Sequence, residues 1–535
     1  MNEPVRSYAP GTPERRELQA ELARHDGLDP LDIPLIIGGE EVRTGDTERA
    51  VAPHDHQRTL AHWHQAGPTE VGRAIEASKS AWQEWSRMSW EDRAAVFLRA
   101  ADLLAGPWRQ RVNAATMLGQ SKTVHQAEID AACELIDFIR FNVHFAEEIA
   151  SQQPRSPSGM WNRLEYRPLE GFIYAVTPFN FTAIAGNLPA APALMGNVVL
   201  WKPSTAAMYS NYLVMKIFEE AGLPPGVINF VPGDPPTVTE ALIDHEDFAG
   251  LHYTGSTSVF KQLWKKIGDG LDGYHNYPRI VGETGGKDFI VAHASADPEA
   301  VKTAILRGAF EYQGQKCSAV SRVYLPEGMW SEIREPLLRE TEAIAMGDPT
   351  DFRNFMGAVI HEASFEKVTG YIDRAAAASD AEVIAGGTYD DAKGWFVRPT
   401  IIETTNPQYE SMREEIFGPV VTVYAYPEEE WEETLRLVDQ TSPYGLTGAV
   451  FSRDRAEARR AMDMLRHAAG NFYVNDKPTG SVVGQQPFGG GRASGTNDKA
   501  GSSMNLLRWV SARSIKETFV PATDYRYPSM AEDEE

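Results

Sequence analysis

From residue 171 onward, short runs of continuous apolar residues alternate with stretches of helical period. GFIYAV (171–176), VVLW (198–201), VINFVPG (227–233), LHYTG (251–255) and RIVGETGG (279–286) read as strands. Between them, residues 183–196, 207–222, 237–245 and 258–271 read as helices, with Gly222 placed to stop the second. Strands without polar alternation, spaced by helices, predict a parallel sheet covered on both faces. A second such series opens at DFIVAH (288–293), continues through a helix reaching toward Gly314 and the strand SRVYLPE (321–327), and repeats between 355 and 470. The first 150 residues are more helical. Ser89 followed by Asp92, ahead of the stripe Ala94, Phe97, Ala101 and Leu104, predicts a capped helix start.

One run departs from this rhythm. Gly171 to Trp201 holds no charged residue over 31 positions, the length of a membrane helix. Pro178, Pro189, Pro192, Asn180, Asn187 and Asn197 interrupt it, and such groups are costly in lipid. The run therefore reads as strand, loop, helix and strand inside a soluble core. The N-terminus has no apolar core segment and mixes both charge signs, so it is neither a secretory nor a clear transit peptide.

Composition narrows the function. The 535 residues are 42% hydrophobic and 24% charged, which excludes global disorder. Lys plus Arg number 51 against 75 Asp plus Glu, a formal charge of −24. That field repels phosphate backbones, so no nucleic-acid partner is expected. Two cysteines exclude a disulfide scaffold and a Cys-rich metal site and fit a reduced, cytoplasmic setting. No metal ligand is assigned.

Cys317, in FEYQGQKCSA, sits where a helix yields to a loop beside Lys316. A neighbouring cation lowers a thiol pKa and favours the reactive thiolate, although a free Cys is also a common buried hydrophobe. Cys133, on an amphipathic helix, reads as core packing. Glu283 closes an apolar strand beside two glycines, where open α/β sheets place ligands. It is a general base or a solvated turn acid. Asn180 follows a strand and a proline, and its amide either donates to an oxyanion or holds its own loop. Lys202 ends a strand within reach of hydroxyls or a phosphate. Gly255 and Ser256 lie on a strand-to-helix turn suited to a pyrophosphate. Glu415 and Phe417, in EEIFGP, and the glycine-rich segment 479–495 complete the set; backbone N–H groups around Gly480 and Ser481 can hold a carboxylate, or the segment is a flexible loop.

TPFNFT, WKPS, TGS, ETGGK, GQKC and EEIFGP follow one another in this order, with Glu283 and Cys317 separated by 34 positions. From about residue 35 to 520 the chain resembles the aldehyde dehydrogenase superfamily. The resemblance implies an α/β fold of two Rossmann-like lobes with a small β oligomerisation flap. It makes Cys317 the nucleophile, Glu283 the base for the deacylating water and Asn180 the oxyanion donor. Thr177, Lys202, Gly255, Ser256, Glu415 and Phe417 would hold the cofactor, NAD, with NADP the weaker expectation. NEPV, AEIDAACELIDFIRFN and GSVVGQQPFGGGRASGTNDKAG are closest to the 1-pyrroline-5-carboxylate dehydrogenase subfamily. That likeness implies oxidation of L-glutamate γ-semialdehyde to L-glutamate in proline degradation. It places Glu134, Phe181, Ser318, Gly480, Ser481 and Phe488 around the substrate.

Two positions depart from the wider superfamily. Ser204, Thr205 and Ala206 follow the lysine where many members carry an acid, so the anion that would repel a 2′-phosphate is missing. Phe260 stands where many have glycine. The expected organisation is a cofactor domain from 1–153 and 175–288, a catalytic domain over 289–485, a flap from a hairpin within 154–174 plus the chain end at 505–525, and an acidic tail at 526–535. A homodimer or higher assembly of dimers is implied, with a small aldehyde as substrate and no membrane partner. The alternatives are a dehydrogenase for another carboxylated aldehyde such as succinate semialdehyde, a catalytically silent protein on the same scaffold, and one module of a larger proline-oxidising enzyme; the last is set aside in favour of a stand-alone chain.

Overall fold

The computed structural model describes residues 1–532; the last three residues of the expected acidic tail, 533–535, lie outside the described residues. Two seven-stranded sheets form the frame. In the first, the strands run in the order Arg279–Glu283, Phe248–Thr254, Phe172–Val176, Val198–Lys202, Ile228–Phe230, Leu35–Ile37 and Glu40–Val42. The first five pair in parallel, and the last two close the edge antiparallel. The second sheet runs Ala381–Ala385, Thr400–Thr404, Val420–Tyr426, Val320–Pro326, Asp288–Ala292, Thr447–Phe451 and Asn471–Val474, antiparallel only at its first edge. Central strands such as Val198–Lys202 and Asp288–Ala292 are buried along their whole length, which explains why they carry no polar alternation.

The uncharged run resolves as the strand Phe172–Val176, the helix Thr182–Leu194 and the strand Val198–Lys202, and every helical residue is buried. Pro189 and Pro192 lie inside that helix. No helix among the described residues is long and apolar enough to cross a membrane. Ser89 caps the helix Trp90–Ala105 by accepting from the Asp92 amide at 3.1 Å, as its spacing predicts.

Three local features differ from the sequence reading. The helix before Cys317 stops at Phe310, and Tyr312 and Gln313 adopt left-handed backbone. The buried Gln313 side chain overrides helical propensity there. It donates to the carbonyls of Ser121 (3.0 Å) and Ala358 (2.8 Å) and accepts from the Gly357 amide at 2.9 Å. The helix carrying Cys133 widens into a π-helical turn over Glu128–Glu134 before continuing as Leu135–Ser151; Cys133 itself is buried, as expected. The segment around 154–174 forms no local hairpin. Its strand, Met160–Pro168, pairs antiparallel with Val510–Thr518, from Val510 opposite Pro168 to Thr518 opposite Met160.

Candidate active site

Strand register alone gathers the first half of the site. Glu283 is the partner of Thr254, and Lys202 is the partner of Val176. Glu283, Gly255, Thr177 and Lys202 therefore stand together at the carboxyl ends of four neighbouring parallel strands, where a doubly wound sheet opens its crevice. Ser256 caps the helix Thr257–Asp269, its Oγ accepting from the Val259 amide at 3.3 Å, so the positive end of that helix faces the same edge. Phe260 replaces glycine here without disturbing the turn. Its ring stacks on Tyr253 with centroids 5.4 Å apart and covers Gly282, where a side chain would collide with it.

Lys202 is buried, and its only acceptor among the described residues is the Pro203 carbonyl at a long 3.4 Å. Burial draws its pKa down to about 8. A buried ammonium short of acceptors fits ribose hydroxyls, so the residues present suit a dinucleotide. The second lobe contributes Glu415, which accepts from the Gly286 amide at 2.8 Å, and Phe417, whose ring meets Phe179 edge-on at 5.8 Å. Burial raises the Glu415 pKa above the ordinary carboxylate value.

A cavity of about 490 Å³ holds the other half. Cys317, Glu283, Glu134, Phe181, Ser318, Gly480, Ser481 and Phe488 all line it. Cys317 is half-buried. Burial, together with the carboxylates of Glu283 and Asp288, pushes its thiol well above the usual value. Lys316 does not supply the activating charge expected from the sequence. It is ion-paired with Glu311 at 3.0 Å. Burial raises Glu283 to about 8 and Glu134 to about 8. Asn180 stands outside the cavity lining, and its amide donates to the Gln315 carbonyl at 3.1 Å, two residues before the thiol.

The sequence profile of the aldehyde dehydrogenase family matches residues 42–515. The chain belongs to that family. It is 53% identical over 537 residues, covering 100% of this chain and 96% of the relative, to the mitochondrial delta-1-pyrroline-5-carboxylate dehydrogenase of Dictyostelium discoideum. The crystal structure of the delta-pyrroline-5-carboxylate dehydrogenase from Mycobacterium tuberculosis superposes with a TM-score of 0.96 at 55% identity, covering 100% of this chain and 98% of that one. The same protein bound with NAD matches at 54% identity and TM-score 0.96, covering 99% and 98%.

In this family member, Lys122, Asp130, Thr479 and Asn2 also shape the site, although the sequence reading assigns them no role. Lys122 and Asp130, both fully buried, pair at 2.7 Å. Asp130 also accepts from the amides of Thr182 (3.0 Å) and Ala183 (2.8 Å), which fixes the loop bearing Asn180 and Phe181. The Lys122 ammonium lies 4.0 Å from the Phe181 ring centre. Ser318 shares a hydrogen bond with Thr479 at 2.8 Å, tying the thiol loop to the segment around Gly480. Asn2 donates to Val483 O (2.7 Å) and Asp137 (2.8 Å), so the N-terminal strap closes one wall of the cavity. In the sequence, NEPV carries the subfamily resemblance but assigns Asn2 no such role.

Proposed function

We propose that this chain oxidises L-glutamate γ-semialdehyde, the open form of 1-pyrroline-5-carboxylate, to L-glutamate with NAD. The observation that carries this reading is the single cavity joining a thiol and a base to both a carboxyl group, Glu134, and a loop of backbone donors at Gly480 and Ser481. A thiol and base alone suit any aldehyde; the added pair suits an α-amino acid, whose ammonium meets Glu134 and whose carboxylate meets the loop.

Cys317 releases its proton to solvent water, and the thiolate attacks the aldehyde carbon, forming a C–S bond while the C=O π bond breaks to give an alkoxide. The Asn180 amide turns from Gln315 O toward that oxygen; removing one such donor costs about 100- to 1000-fold in rate. Thr177, Lys202, Gly255 and Glu415 would hold the dinucleotide, which would supply the hydride acceptor. Loss of hydride from the adduct leaves a thioester on Cys317. Glu283 then removes a proton from water, whose oxygen replaces sulfur at the acyl carbon and returns the thiol.

Following NADH absorbance with glutamate semialdehyde and with succinate semialdehyde tests the reading. The five-carbon amino acid should be favoured at least tenfold in kcat/KM; equal or reversed preference overturns it. Repeating the assay with NADP tests the cofactor, since no acid follows Lys202 in Ser204, Thr205 and Ala206. The reducing compartment implied by two free thiols is read as the cytoplasm. The Dictyostelium relative is named mitochondrial, and fractionation of the producing cell decides between the two.

A further inference from the structure

Within the cavity, Lys477 is a charged group with no role in the chemistry above. Lys477 follows the strand Asn471–Val474 and precedes the loop at Gly480, and it lines the same cavity as Cys317 and Ser481. Its ammonium donates to the Thr479 carbonyl at 2.8 Å. Gly480 has φ +89°, and a Cβ there would stand 2.8 Å from Lys477 Nζ. The loop backbone is thus bent around the ammonium, and glycine leaves room for both. The stem crosses the helix Pro298–Phe310 at Gly308, where an added Cβ would sit 3.8 Å from the lysine Cβ.

Three N–H donors are available and one is used. Lys477 forms no ion pair among the described residues, and Glu311, the first carboxylate acting on it, is held by Lys316 at 3.0 Å. Burial lowers the Lys477 pKa, as befits an ammonium short of counter-charge. Glu134 presents an acid elsewhere on the wall; of the other lining cations Lys316 is paired with Glu311 and Arg307 is exposed, so Lys477 and Glu134 are the pair the cavity offers to a zwitterionic ligand.

We infer that Lys477 is a substrate-binding residue, a charged anchor that completes the neutral backbone donors of Gly480 and Ser481 by pairing with the substrate's α-carboxylate. The inference rests on the amino-aldehyde reading and sharpens it, because the loop then selects a formal negative charge. Charge-assisted hydrogen bonds to a carboxylate are the strong ones, so Lys477→Met should raise KM for glutamate semialdehyde about 10- to 100-fold more than KM for pentanal, an uncharged five-carbon aldehyde.

The experiment measures KM for both aldehydes in the wild type, Lys477→Met and Lys477→Arg, together with protection of Cys317 against alkylation by glutarate, a dicarboxylate that cannot be oxidised. Selective loss in the Met variant, recovery of most of it by Arg, and parallel loss of glutarate protection support the anchor. An equal rise for both aldehydes in the Met and Arg variants would assign Lys477 to holding the loop and overturn the inference, as would wild-type behaviour of the Met variant. If the wild type itself shows no preference for the amino-aldehyde over pentanal, the amino-aldehyde reading falls, while glutarate protection still reports on Lys477.

Discussion

Burial favours the neutral forms of both Cys317 and Glu283. For Glu283 the sign of the consequence is definite. Only the carboxylate can take a proton from water, and with a pKa of about 8 roughly one-tenth of it is ionised at pH 7. Turnover limited by thioester hydrolysis should therefore rise about tenfold between pH 7 and pH 9 and then level. Glu283→Gln should release NADH in a single burst and stall at every pH; steady turnover with an unchanged pH profile would remove Glu283 from the mechanism. Folding responds in the opposite direction. A carboxyl whose pKa is raised in the folded state binds its proton more tightly there, so this group withdraws stability as pH rises from its ordinary value near 4.5 toward 8. Cys317→Ala should abolish aldehyde-dependent NADH while fluorescence titration still detects NAD binding, since Thr177, Lys202 and Gly255 lie at the sheet edge, away from the thiol's own loop.

At the scale of elements, the buried Lys122–Asp130 pair couples the π-helical turn to the helix Thr182–Leu194. Asp130→Ala would strip a buried lysine of its partner and uncap the helix together. Breaking such a pair costs about 3–5 kcal/mol, against about 1 kcal/mol for Ser89→Ala at an exposed cap. Chemical denaturation of the two variants measures both, and similar small losses would show that the pair is not needed to hold the Asn180 loop. The strand–helix alternation around the site was legible because the inner strands, such as Val198–Lys202 and Phe248–Thr254, are buried on both faces and so read as unbroken apolar runs. The motif residues were legible because strand ends and tight turns leave few residue types able to serve there. The Lys316 role was not. A neighbour in sequence is a neighbour in space only while the chain stays regular, and the left-handed Tyr312 and Gln313 turn Lys316 toward Glu311. Nor does any periodicity announce the N-terminal strap, whose Glu3 meets Arg109 at 2.6 Å across more than a hundred residues.

For the molecule as a whole, the ribbon of Met160–Pro168 and Val510–Thr518 is the element least explained by one chain. It is a sheet of only two strands, a size marginal on its own in water; the side chains of Ser156 and Gln153 bond the backbone of Asn162 and Leu164 along the outer edge of Met160–Pro168, so among the described residues the open edge is that of Val510–Thr518. Cross-strand ion pairs, Arg163 with Glu517 at 3.1 Å and Arg513 with Glu165 at 2.5 Å, hold its register. Trp161 on the ribbon and Phe519 and Val520 just beyond it remain exposed. A strand edge flanked by apolar side chains is completed most simply by a second copy adding to it, which buries both. We therefore expect light scattering at micromolar concentration to give at least twice the chain mass of 59.2 kDa. Trp161→Glu combined with Ile515→Lys should drive the species toward 59.2 kDa while the thiol cavity, built on other elements, keeps its reactivity toward alkylation. A wild-type protein that runs as a single chain under the same conditions would leave the ribbon without a partner and remove the dimer from the account.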